Sequence, residues 1–159
     1  MINLEKAKKV LSSFEKRGLT LGSVESLTAG LFASTICSVP GASKVFKGSF
    51  VTYATSMKTD FLNINKAFIN KYGVVSKEVA REMAIIGRHG LEVDVCVSFT
   101  GNAGPTKEKG KAPVGRVNMC VATSKGYVNI EKDFKLDRNE MREECVNSML
   151  DALEEIFEE

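Results

Sequence analysis

At 159 residues with 43% hydrophobic side chains, the chain can bury a core of its own without disulfide or metal staples. Its 22 basic and 20 acidic residues leave a net charge of +2, too evenly spread to raise the positive field that a nucleic-acid backbone requires. No run is long and apolar enough to span a bilayer, and residues 1–6 lack the apolar centre of a signal peptide, so no membrane partner and a cytoplasmic location are expected.

Leu4, Ala7, Val10, Leu11 and Phe14 share one face of a first helix that stops at Gly18. Residues 20–24 then read as a short strand, and 28–36 as a helix broken by Pro40 and Gly41. A second strand is expected over 48–53, with short helical pieces over 58–62 and 66–72. Ser76 caps a clearer helix over 77–89, in which Val79, Met83, Ile86 and Leu91 supply the apolar stripe. The apolar run 94–99 suits a strand covered on both faces, followed by a polar loop that reaches Pro113. Residues 114–123 and 127–134 form an antiparallel hairpin across Lys125-Gly126, and a last helix runs over 138–157. Alternating helices and strands with no repeat and no linker predict one domain over 1–159, a three-layer α/β/α sandwich with a mixed sheet.

The four cysteines (Cys37, Cys96, Cys120, Cys145) are scattered, with no C-x-x-C pair and no histidine at ligand spacing. They read as small buried hydrophobes, not as a zinc site or a disulfide framework.

Ser26 stands where the first strand gives way to a helix, which presents a hydroxyl at a sheet edge beside the open N–H groups of a first helical turn. A helix-capping serine has the same appearance. A nucleophilic serine needs a base, and the single histidine, His89, belongs to the end of a helix where the dipole accounts for it. The base expected instead is a lysine. Lys58 follows directly on the second strand and precedes the apolar Phe61-Leu62, so partial desolvation would favour its neutral form over the ammonium of an ordinary lysine at about 10.4. Tyr53 could order the proton path, although a core tyrosine and a surface lysine fit this segment as well. Thr100-Gly101-Asn102-Ala103-Gly104-Pro105 follows a buried strand, the place where ligands of open α/β sheets collect, and is neither a Walker A loop nor G-x-G-x-x-G.

Val24-Glu25-Ser26-Leu27-Thr28-Ala29-Gly30, Val39-Pro40-Gly41-Ala42-Ser43, Tyr53 with Lys58, Gly73-Val74-Val75-Ser76, the Thr100 to Pro105 motif and Pro113-Val114-Gly115 occur in one order across the chain. In this it resembles the CinA C-terminal domain family, which includes stand-alone nicotinamide-nucleotide amidohydrolases. The resemblance implies an amidase that converts nicotinamide mononucleotide and water to nicotinic acid mononucleotide and ammonia, with no metal and no cofactor. It implies Ser26, Lys58 and Tyr53 as catalytic residues, with Thr28, Ala29, Gly30, Thr100, Gly101, Asn102, Ala103 and Gly104 around the substrate. A pyridine nucleotide is then the small-molecule partner, and a homo-oligomer is expected.

The chain departs from the family pattern at several points. Ala29 stands where a glycine is usual, Thr55 where an asparagine is common, Asn102 for an apolar residue and Arg116 for a small or apolar one. Lys107, Lys109 and Lys111 replace glycines between Pro105 and Pro113. Nucleophile and base are retained while the substrate shell is altered, which leaves a second reading open: a catalytically silent nucleotide-binding or oligomerisation module. Larger members of the family join this domain to one that resembles molybdopterin-binding proteins.

Overall fold

In a computed structural model, which describes residues 1–105 and 112–158, the elements follow the hydrophobic periods of the sequence closely. Asn3 accepts a hydrogen bond from Lys6 N–H and opens helix α1 (Leu4–Arg17), which Gly18 closes in the left-handed conformation. Ala7, Val10, Leu11 and Phe14 of that helix are buried. Leu4, expected on the same stripe, is 47% exposed because it lies in the opening turn, before the first residue that reaches the core.

Strand β1 (Leu21–Glu25) leads to α2 (Leu31–Cys37), a 3-10 turn (Ala42–Lys44) and strand β2 (Phe46–Val51). Helices α3 (Thr55–Asp60) and α4 (Lys66–Tyr72) precede α5 (Lys77–Leu91), which Ser76 caps by accepting from Val79 N–H. Strand β3 (Val95–Gly101), the hairpin β4 (Arg116–Thr123) and β5 (Gly126–Asp133), and α6 (Arg138–Ile156) complete the described elements. The expected helix over 28–36 starts only at Leu31, since Ser26 to Gly30 form a turn of their own. The hairpin turns at Ser124-Lys125, one residue earlier than read, because Thr123 pairs with Gly126.

The sheet order is β2-β1-β3-β4-β5. β1 runs parallel to both β2 and β3, whereas β3–β4 and β4–β5 are antiparallel, so the sheet is mixed. Helices α1, α2 and α6 cover one face and α5 the other, a three-layer α/β/α sandwich. Alternation along β4 shows how one strand serves both layers: Val117, Met119 and Val121 enter the core shared with Met141, Cys145 and Met149, while Cys120 and Ala122 meet Ala80 and Ala84 of α5. Each large side chain buried in this way contributes about 1.5–3 kcal/mol of transfer free energy. α5 rides unusually close to the sheet. A methyl group at Gly87 would overlap the Val24 side chain and come within 2.8 Å of Cys96 Sγ.

Cys96, Cys120 and Cys145 are buried as expected, but Cys37 is exposed, since it ends α2 after the helix has left the core. Burial pushes the thiols of Cys120 and Cys145 up to about 12, and that of Cys96 higher still.

Candidate active site

The carboxyl ends of β1, β2 and β3 lie side by side, and each delivers part of one constellation. β1 leads to Ser26, β2 leads through Thr52 and Tyr53 to α3 with Lys58, and β3 ends in Gly101 and the following loop. The chain returns from β2 across β1 to reach β3, so the β1 and β3 ends flank the point where open α/β sheets leave a crevice.

Ser26 is fixed by its own backbone. Its N–H donates to the Phe99 carbonyl on β3 at 3.0 Å, and its carbonyl accepts from Ala29 N–H at 3.0 Å, which folds residues 26–30 into a tight turn. Ala29 and Gly30 take positive φ angles of 48° and 92° to make that turn. Lys58, only 1% exposed, brings Nζ to 3.0 Å from Ser26 Oγ. The same Nζ lies 2.7 Å from the Thr52 carbonyl and 3.4 Å from the Tyr53 carbonyl. Two carbonyls can take the two N–H donors of a neutral amine and leave its lone pair facing the serine O–H.

Ser26, Leu27, Tyr53, Gly101, Asn102, Ala103, Gly104 and Arg138 line a cleft of about 50 Å³. That is room for a reacting group, not for a whole mononucleotide, whose pockets start near ~300 Å³. Close packing leaves no space to spare, because a methyl at Gly101 would lie 3.0 Å from the Arg116 carbonyl and 3.2 Å from Leu27. Asn102 donates through Nδ2 to the Ala112 carbonyl at 3.0 Å, and among the described residues its buried Oδ1 has no partner. Among the described residues, the N–H groups of Leu27 and Ala103 also have none.

Several expected contacts fall elsewhere. Thr28, Ala29, Gly30 and Thr100 are not part of the cleft lining. Thr28 is fully buried, Ala29 points to solvent, and Thr100 Oγ1 donates to the Val74 carbonyl at 2.9 Å. The helical N–H groups expected beside Ser26 are already engaged. Gly30 and Phe32 N–H donate to Oε1 of Glu25, and Ala33 N–H donates to its Oε2. The Tyr53 phenol does not meet the Ser26–Lys58 pair; it accepts from Arg138 at 2.7 Å, and only its backbone carbonyl reaches the pair. Lys107, Lys109 and Lys111 lie outside the described residues.

Three site residues escaped the sequence reading. Glu25 carried a signal, a charge closing a short strand with Leu21 and Val24 in it. Arg138 donates to Tyr53 and to the Gly104 carbonyl, and Arg142 donates to the Leu27 and Thr28 carbonyls at 2.9 and 3.0 Å. Both arginines lie on α6, 85 residues from Tyr53 and 115 from Leu27 respectively, and nothing local marks them.

Residues 3–157 match the family model described as the CinA C-terminal domain. The chain belongs to that family. A CinA-like protein of Flavobacterium psychrophilum is 41% identical over 144 residues, 91% of this chain and 34% of the relative. A CinA-like protein of Petrotoga mobilis is 40% identical over 127 residues, 80% of this chain and 32% of its own length. The chain thus spans about a third of the curated relatives it matches. Among solved CinA-type structures, a competence/damage inducible protein of Agrobacterium tumefaciens superposes with a TM-score of 0.90 at 28% identity, covering 96% of each chain. A CinA superfamily protein of Klebsiella pneumoniae gives a TM-score of 0.93 at 21% identity, covering 97% of this chain and 96% of that one, and shows the shared fold.

Proposed function

We propose that this CinA-family domain is a serine amidohydrolase that needs no metal or other cofactor and converts nicotinamide mononucleotide to nicotinic acid mononucleotide and ammonia. The observation that carries the reading is the 3.0 Å approach of a buried lysine amine to a serine hydroxyl at a sheet edge. In the first step Lys58 Nζ takes the Ser26 hydroxyl proton while Oγ bonds to the carboxamide carbon. The developing oxyanion is met by the N–H of Leu27, the residue after the nucleophile, and by that of Ala103. Asn102 lines the same cleft, and its Nδ2 braces the loop by donating to the Ala112 carbonyl. As the C–N bond breaks, Lys58 returns the proton to nitrogen and ammonia leaves. Water, deprotonated by the same amine, then attacks the acyl ester and frees the acid and the Ser26 hydroxyl. Arg138, on the rim beside Tyr53, places positive charge where an anionic part of the substrate would emerge from the small cleft.

The test is ammonia release from nicotinamide mononucleotide by the wild type and by Ser26→Ala. Turnover that falls at least a thousandfold in a folded variant supports the reading. Undiminished turnover excludes Ser26 as nucleophile. The departures from the family pattern in the substrate shell, Ala29 and Asn102 among them, leave one other reading, a nucleotide-binding module without chemistry; ligand-induced stabilisation of the wild type with no ammonia released would establish it.

A further inference from the structure

Glu25 is a fully buried carboxylate for which the reaction above has no use. It closes β1 immediately before the nucleophile, and its two oxygens collect an unusual set of donors. Oε1 accepts from Gly30 N–H at 3.1 Å and Phe32 N–H at 3.0 Å; Oε2 accepts from Ala33 N–H at 3.0 Å. Ser23 Oγ lies 2.9 Å and Ser49 Oγ 3.3 Å from the same Oε2, and these two hydroxyls are 2.7 Å apart. A carboxylate accepts only, so it matches three N–H groups and two hydroxyls where an amide or a hydroxyl would not.

The N-cap of α2, Gly30, has no side chain to close the helix, and Glu25 does this work from the preceding strand. The peptide between Glu25 and Ser26 is thereby held at both ends: Ser26 N–H by Phe99 on β3, the Glu25 carboxylate by α2. Ser49 ties the same carboxylate to β2, the strand that leads to Lys58. One buried group therefore joins β1, which ends at Ser26, to α2 and to β2, the strand that leads to Lys58.

We infer that Glu25 is a positioning residue for the nucleophile, holding Ser26 Oγ within hydrogen-bond reach of Lys58 through α2 and Ser49. This rests on the reading of Ser26 and Lys58 as nucleophile and base. It does not depend on which carboxamide is the substrate.

Glu25→Gln is the informative variant. The glutamine oxygen can keep Gly30 and Phe32, but its NH₂ would confront the Ala33 N–H, donor against donor, while the serine hydroxyls can turn to accept. The helix end then shifts without loss of the fold. A 1 Å misplacement of reacting groups can cost about a hundredfold in the chemical step. Ammonia release by Glu25→Gln is expected to show kcat lowered at least tenfold with KM nearly unchanged, whereas a merely structural role would lower only the melting temperature.

A fluorophosphonate probe that phosphonylates Ser26 reports the same geometry without any assumption about substrate. Tenfold slower labelling of folded Glu25→Gln than of wild type supports the inference, even if nicotinamide mononucleotide is not turned over, an outcome that would fault the substrate and spare the positioning role. Equal labelling rates overturn the inference and leave the amidohydrolase reading standing. Absence of labelling in the wild type overturns both. A crystal structure of Glu25→Gln gives the geometric arm, in which an unchanged 3.0 Å separation of Oγ and Nζ would also overturn it.

Discussion

Ser26 Oγ and Lys58 Nζ meet at 3.0 Å across a sequence separation of 32 residues, one from the end of β1 and the other from the short helix that follows β2. Because β1 and β2 are parallel neighbours, their carboxyl ends fall at the same edge of the sheet, and the pair is assembled by topology. Lys58 belongs to the interior here, with Nζ held by backbone carbonyls.

Lys58→Arg keeps the positive charge and cannot supply a neutral amine, and its larger guanidinium has no room beside Thr52 and Ser26. Its kcat/KM is expected to fall at least a hundredfold wherever the wild type is active. Lys58→Met fills the same channel without a polar tip, so it should fold, bind ligand and be equally inactive. Near-normal turnover by Lys58→Arg in the pH–rate profile would remove Lys58 as the base.

The Tyr53 contribution separates into backbone and side chain. Its carbonyl lies 3.4 Å from both Lys58 Nζ and Ser26 Oγ and survives any substitution of the ring. The phenol is bound to Arg138 at 2.7 Å, and the side chain is about half exposed. Tyr53→Phe should therefore cost no more than about tenfold in kcat, with a larger effect on KM through the freed Arg138, as steady-state kinetics would show. A loss in kcat matching that of Lys58→Arg would mean that the phenol itself moves the proton.

Much of this could be read in the sequence because the decisive features were local. The stripe of α1, the Ser76 cap, the apolar run that became β3 and the placement of Ser26 just after a strand each depend on neighbours a few residues away. Lys58 stood out through its apolar surroundings. What escaped was long-range. Arg138 and Arg142 reach the site only because α6 packs beside α2, and the donors assigned to the substrate at Gly30 were already committed to Glu25. Cys37 was misplaced because an apolar sequence context does not say on which side of the last helical turn a residue falls.

The cysteines offer a direct test of the fold. The thiolate is the form that alkylates, and burial raises the pKa values of Cys96, Cys120 and Cys145 far above the usual thiol range. Iodoacetamide at pH 8 should add to Cys37 alone in the native protein and to all four cysteines in denaturant, a difference of three adducts by mass spectrometry. Rapid native labelling of Cys120 or Cys96 would contradict the packing of α5 against the sheet.

Ala29 is the point where departure from the family pattern and backbone geometry coincide. The resemblance leads one to expect a glycine here, and this chain holds an alanine at φ 48°, in the left-handed region where a β-carbon crowds the following carbonyl. That strain costs roughly 1–2 kcal/mol for an L residue. Glycine removes it but loses more conformational entropy on folding, which takes back about 0.4–1 kcal/mol. The exposed methyl makes no contribution to the core that would offset the difference. Ala29→Gly should therefore stabilise the domain by roughly 0.5–1 kcal/mol, a rise of a few degrees in melting temperature by calorimetry. Gly30→Ala makes the reciprocal change at φ 92°, where the new β-carbon would find room 3.7 Å from Val51 but no relief from the backbone. It should destabilise by at least about 1 kcal/mol. If Ala29→Gly lowered the melting temperature, the turn that carries Ser26 would have to be held in a different conformation from the one described.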